Sequence, residues 1–180
     1  MNMPNMQRSA GGVYMPSAGV IMRGLLQVTH KRKGVVIDEF ECPNLITNEG
    51  LNAQNDIMFH GSTQITQWYV GVFEGNYTPV ATVTGATVAA AATECTAYDG
   101  STRPTYDEAA SASQVTTNAA SRASFVFNAT KTIYGGFLVS TSTKGGTTGT
   151  LYGIARFSAS KAVVDDDELL ITYNLTAASA

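Results

Sequence analysis

Short runs rich in β-branched and aromatic residues recur along almost the whole chain, separated by turns that contain Gly, Asn or Asp. Runs of this kind predict β-strands, and about eight of them follow one another with turn signals between them. Regularly spaced short strands are typical of a β-sandwich or a jelly roll. We therefore predict an all-β fold, a jelly roll or sandwich of about eight strands, with a short helix and an extended N-terminal arm.

The first strong signal is a β-hairpin over residues 25–41. Two β-rich runs, residues 25–30 and 35–41, flank the polar stretch 31–34, which ends in Gly. This arrangement predicts two antiparallel strands joined by a four-residue turn. The three basic residues of that turn, 31–33, are expected to be solvated.

Later segments predict a helix and further strands. Thr47 or Asn48 is placed to cap a short helix over about residues 49–59. Residues 68–73 are aromatic or β-branched on both faces, which predicts a central strand in which Trp68 fills the core. Strands are also expected at the segments 93–98, 103–107, 121–128, 132–141, 149–159 and 168–176.

The N-terminal arm, residues 1–19, differs from the rest. Pro and Gly interrupt it throughout, so it cannot form a regular helix. A disordered tail is one interpretation, but such tails are usually poor in apolar residues, whereas this one carries four Met and one Tyr. We favour an extended arm that docks on a neighbour, followed by a single β-domain over residues 20–180.

Composition excludes several classes of function. Charged residues make up 14% of the chain, against a usual value of about 25%, and the net charge is −3. Because nucleic-acid binding relies on clustered Lys and Arg, we expect no nucleic-acid partner. No apolar run approaches the length of a transmembrane helix, the N-terminus lacks the pattern of a signal peptide, and we expect no membrane contact. Cys42 and Cys95 are expected to be buried and reduced.

The residues that usually carry chemistry do not fall into catalytic or metal-binding patterns. His30 and His60 have no partner at ligand spacing, so both are expected to be structural. The acidic run 165–168 lacks the alternation and the Gly of a calcium loop and predicts a solvated turn. No nucleophile elbow or phosphate loop occurs. We therefore expect no enzyme activity, no catalytic or metal site and no cofactor.

Three stretches carry a resemblance to a known family. They are residues 44–52 (NLITNEGLN), 68–73 (WYVGVF) and 162–173 (AVVDDDELLITY). In this order they resemble virion proteins of tailed bacteriophages that are encoded near the major capsid protein, among them head cement or decoration proteins with jelly-roll-like folds. The resemblance spans about residues 20–178. Usual members have Gly-Asp before the last strand, where this chain has Asp166-Asp167.

The resemblance implies a capsid cement or decoration protein, assembled in the bacterial cytoplasm and located on the phage head. Its partners are then the major capsid protein and other copies of itself, as a homodimer or homotrimer. The apolar residues of the arm and of the hairpin are the implied partner-binding residues: Met3, Met6, Tyr14, Met15, Leu25, Val35 and Phe40.

A second interpretation stays open at this stage. The pattern of residues 44–52 also occurs in phage tail and fibre proteins, so the chain resembles a tail-fibre, head-fibre or tail-tip component that recognises a host surface. Such a component is expected to carry a longer shaft and a repeat-like region, which this chain lacks.

Overall fold

The strand-forming segments build two five-stranded sheets in the computed structural model, which describes residues 6–8, 14–16 and 19–179. Every pairing between the strands is antiparallel. The strands are β1 (Met6–Arg8), β2 (Tyr14–Pro16), β3 (Val20–Arg32), β4 (Val35–Pro43), β5 (Leu45–Ile46), β6 (Trp68–Phe73), β7 (Thr105–Tyr106), β8 (Val115–Thr117), β9 (Ala123–Val126), β10 (Lys131–Val139), β11 (Leu151–Val163) and β12 (Glu168–Ser179). The helices are α1 (Asn48–Phe59) and α2 (Val88–Ala91).

The two sheets form the predicted all-β sandwich. One sheet has the order β5-β11-β10-β6-β7, and the other has the order β4-β3-β12-β8 with β9 also paired to β12. The ten strands exceed the predicted eight because β5, β7 and β8 have only two or three residues each. The strand signal over residues 68–73 is confirmed as β6, which lies between β10 and β7.

Alternation along the strands builds the core. In β12, Leu169, Ile171 and Tyr173 are fully buried on one face, and in β9 Ala123 and Phe125 are buried beside them. This is the period of two that places alternate side chains on one side of a sheet. In β6, Gly71 lies against the ring of Phe137, where a Cβ atom would come within 2.2 Å of the ring carbon Cζ.

The hairpin is confirmed, but its predicted four-residue turn is wrong. The turn is Lys33-Gly34, and both residues have positive φ, 50° and 77°. Two-residue turns of this kind match the right-handed twist of the strands they join. Lys31 and Arg32 therefore continue β3 and pair with Val36 and Val35 of β4.

The segment 93–98 is not a strand, contrary to expectation. Thr93 has a positive φ of 53°, which interrupts extended backbone. Glu94 and Tyr98 make only isolated bridges, to Phe73 and Phe127. A buried ion pair between Glu94 and Arg103 joins this segment to the rest of the molecule instead.

In the N-terminal arm the structure describes two short strands. β1 and β2 pair with each other and with neither of the two large sheets. Met3 lies outside the described residues, and of Met6, Tyr14 and Met15 only the backbone is described. The docking of the arm on a neighbour remains a prediction.

Candidate interaction surfaces

A groove of about 700 Å³ opens between helix α1 and one end of the sandwich. The helix contributes Gly50, Ala53, Gln54 and Ile57, which share one helical face because they are spaced by three or four residues. Of the helix residues only Gly50 is buried, since the backbone of Tyr152 leaves no room there for a Cβ atom. The other residues of this helical face line the groove.

The opposite wall comes from strands that extend beyond the core. Val20 and Met22 of β3 lie on the same side of the strand as the buried Leu26, and Leu175 and Ala177 of β12 continue the face of Tyr173. β3 and β12 pair without interruption up to Val20 and Ser179. The inner face of this sheet therefore continues past the end of the other sheet.

Aromatic side chains form the floor. The rings of Trp68 and Tyr152 meet edge to face, with centroids 5.7 Å apart. The Tyr152 hydroxyl donates a hydrogen bond of 2.8 Å to Oε1 of Gln54 on the helix, and burial raises the pKa of this phenol to about 12. Trp68 packs against the main core but is only half-buried, so it contacts the core from its edge and does not fill it as predicted.

None of the described residues that line the groove carries a charge. Three large apolar side chains at its rim are largely uncovered: Phe59 is 80% exposed, Val20 74% and Met58 65%. Contiguous exposed apolar surface of this kind is typical of a binding site. The groove is suited to an uncharged, apolar partner.

A second apolar surface lies at the tip of the β3–β4 hairpin. Val35, Val36 and Ile37 are consecutive, and all three are exposed, Val35 by 64%. Within the described part of the chain β4 pairs only with β3, so its outer edge presents unpaired backbone groups. Farther along, β4 carries Asp38, Glu39 and Glu41, and charges of this kind discourage edge pairing, so the uncharged part of the edge is confined to the three apolar residues at the tip. We refer to these three residues as the hairpin tip.

The hairpin residues predicted to bind a partner do not form one patch. Val35 is exposed at the tip, whereas Leu25 and Phe40 are half-buried. Phe40 packs edge to face on Phe157 at 4.8 Å between centroids, and the Lys161 amino group lies over its ring. Leu25 pairs with Pro43 at the far end of the hairpin, roughly 20–25 Å from the tip at about 3.3 Å per residue.

The groove residues were missed by sequence reasoning. A signal existed, because Val20 and Met22 continue the alternation that leads to Gly24 and Leu26. The strand predicted from the sequence began at residue 25, so Val20 and Met22 fell outside it. Met58 and Phe59 end the helix as an apolar pair, and nothing in the local sequence shows that this pair stays uncovered.

The acidic run 165–168 is not a fully solvated turn, because Asp167 is buried. Arg32 binds it through two hydrogen bonds of 2.8 and 2.7 Å, and Nε2 of His30 lies 3.0 Å from Oδ2. The backbone N–H of Val164 donates a further bond of 2.9 Å. The Arg32 guanidinium holds the pKa of this carboxyl well below its usual range. The cluster joins the hairpin to the start of β12.

A second buried ion pair supports the loops at one edge. Arg103 donates to both oxygens of Glu94, at 2.8 and 2.7 Å, and both side chains are excluded from solvent. The N–H of Gly145 also donates to Glu94, and Arg103 donates to the carbonyl of Thr141. Each polar group of the pair is used within the chain, which is the usual condition for burying charge.

The structure also describes the two cysteines and the candidate metal-ligating residues. Cys42 and Cys95 are free and buried, and desolvation raises the pKa of both thiols. Among residues 19–179 no three His, Cys, Asp or Glu side chains gather in a way that could hold a metal ion. No helix of the described chain has the length and apolar character needed to cross a bilayer.

Comparison with known proteins adds no family assignment. No protein-family model matches the chain, and no curated protein matches it significantly.

Proposed function

We propose that this chain is a non-enzymatic structural protein of a tailed-bacteriophage virion. It acts as a capsid cement or decoration protein, assembled in the bacterial cytoplasm and bound to the phage head. It stabilises the head through contacts with the major capsid protein and with other copies of itself. The similarity of residues 44–52, 68–73 and 162–173 to phage virion proteins supports the proposal.

The observation that carries the proposal is the uncovered hairpin tip. Three consecutive apolar side chains, Val35, Val36 and Ile37, stand on a strand whose outer edge has no partner in the described chain. An exposed edge accepts a further strand through main-chain hydrogen bonds, and its apolar side chains add buried area. The tip is therefore suited to a permanent contact with another protein.

A cement protein works by adding buried area across the seams of a shell. Stable protein contacts bury upward of about 1,000 Å², and the fully buried centre of such a contact is more apolar than its rim. A low content of charged residues limits the desolvation cost of such a contact. The two apolar surfaces of this chain give it two places at which to make these contacts.

Copy number in purified particles tests the location. We expect quantitative mass spectrometry to give hundreds of copies per particle. A count between a few and some tens of copies would overturn the cement assignment and favour a tail-fibre, head-fibre or tail-tip component.

A matched pair of variants tests the surface. Ile37 of the hairpin tip and Val80 of a distant loop are both 49% exposed, so a Lys at either position costs little folding energy. We expect Ile37→Lys to abolish attachment to heads that lack the protein, and Val80→Lys to bind as the original chain does. Equal binding of the two variants would contradict a role for the hairpin tip.

A further inference from the structure

We infer that the groove beside helix α1 is the docking site for the N-terminal arm of a second copy of this chain. The groove has an apolar wall, an aromatic floor and an uncovered helix face, as described above. A surface of this kind is stabilised by an occupant, because exposed apolar area remains hydrated until something covers it.

The chemistry of the arm matches that of the groove. Among the described residues the groove lining carries no charged side chain, and Arg8 is the only charged residue in the sequence of residues 1–19. Four of the apolar residues of the arm are Met, whose flexible side chains adapt to irregular surfaces. The polar lining groups, Gln54, Gln64 and Gln114 among them, are neutral donors and acceptors suited to a peptide backbone.

The position and length of the arm bring it to this groove. The arm joins the sandwich at Val20, and Val20 is itself part of the groove rim. Because Met6 of β1 pairs with Pro16 of β2, four residues before Val20, Met6 lies within about 20 Å of Val20, and residues 1–5 add at most about 17 Å at about 3.3 Å per residue. An arm of this reach enters the groove of an adjacent copy whose groove rim lies beside this one.

The pairing of the arm favours a second copy over the chain's own groove. β1 and β2 pair with each other and, within the described residues, with no strand of the two large sheets. The described strands of the arm therefore add nothing to the chain's own sandwich, and we take a neighbouring copy as the source of the arm that fills the groove.

The inference deepens the self-contact in the proposed function, and it does not require the phage head. The test uses free protein without particles. A negative result in this test would therefore not contradict attachment to the head. Equally, a chain that does not bind heads would not contradict docking of the arm in the groove.

Disulfide trapping between two pools of full-length chain is the decisive experiment. One pool carries Met6→Cys in the arm, and the other carries Phe59→Cys at the groove rim. The control pool carries Leu51→Cys, which is exposed on the same helix but does not line the groove. Cys42 and Cys95 are buried and stay out of the reaction. We expect covalent dimers with Phe59→Cys to form at least tenfold faster than with Leu51→Cys.

Two results overturn the inference. Equal trapping at residues 51 and 59 would mean that the groove does not hold the arm. Trapping only inside single chains of the double variant Met6→Cys/Phe59→Cys, at every concentration, would mean that the arm fills its own groove.

Trp68 gives an independent readout because it is the only tryptophan and lines the groove. Its emission is expected to shift to shorter wavelength as protein concentration rises, and a concentration-independent spectrum would contradict a second copy.

Discussion

Asp167 joins two parts of the chain that are far apart in sequence. Its carboxylate binds Arg32 and His30 of β3 and the backbone of Val164, so every oxygen is occupied within the chain. Charge-assisted hydrogen bonds of this kind are stronger than neutral ones. The residue thereby holds the hairpin against the turn before β12, next to the surface that we propose as a contact site.

The ionisation of Asp167 makes the free energy of unfolding depend on pH in the acidic range. Its pKa is lowered in the folded chain, so its contribution is complete above the unfolded value of about 3.9 and is lost as pH falls from there toward the folded pKa. We expect Asp167→Asn to lower the free energy of unfolding at pH 7 by about 1–3 kcal/mol. The difference from the original chain should shrink at pH 3.

Urea unfolding at the two pH values measures this effect. Asp166→Asn is the matched control, since Asp166 is exposed and its φ of 65° suits Asn as well as Asp. If both variants lose the same stability at pH 7, the buried cluster is not the cause.

Among the secondary-structure elements, helix α1 depends most on its first turn. Thr47 accepts a hydrogen bond of 3.0 Å from the N–H of Gly50 and donates one of 2.5 Å to the carbonyl of Leu151. Glu49 accepts from the N–H groups of Gly85 and Leu151. These bonds fix the start of the helix to the sandwich, while its later residues border the groove and remain partly exposed.

We expect Thr47→Ala to lower the free energy of unfolding by about 1–2 kcal/mol, because it removes a helix cap that is also bonded to a strand. Thr47→Ser retains the hydroxyl and should recover most of this loss. Equilibrium unfolding in urea measures both. An alanine variant as stable as the original chain would show that the cap does not hold the helix.

The whole molecule places its two apolar surfaces at opposite ends of one strand. The groove begins at Val20, and the hairpin tip lies just beyond Arg32, so about 40 Å of β3 separates them at about 3.3 Å per residue. A rigid strand within a paired sheet keeps this separation constant. One molecule can therefore hold a neighbour at one end and a different surface at the other.

Part of the charge is neutralised inside the molecule. Within the described residues, five of the 11 Lys and Arg side chains form ion pairs with carboxylates, and the described groove lining carries no charge. We predict that attachment to the head survives about 1 M salt, where the screening length is about 3 Å, because screening does not act on buried apolar area. Particles washed in high salt are assayed for retained protein, and quantitative release would mean that charge pairs dominate the interface.

Local patterns were sufficient to predict much of the architecture. The alternation in residues 169–175 and 123–127, the hairpin and the helix start at Thr47 follow from neighbours in sequence, because strand and helix geometry place side chains at fixed intervals. The same patterns could not locate the groove. Its walls come from residues 20–22, 50–59 and 175–177, which meet only after the sheets pair.

By itself, the sequence therefore determined the fold class, the positions of most main strands along the chain and the low content of charged residues. The tertiary structure decided which residues are buried and which remain uncovered. Asp167 lies in an acidic run but is buried because Arg32, 135 residues away, reaches it. Trp68 lies in a strongly apolar strand but remains half-buried because it is the first residue of β6, where its own sheet ends while the facing sheet continues. Burial depends on contacts between distant segments, and no local spacing contains that information.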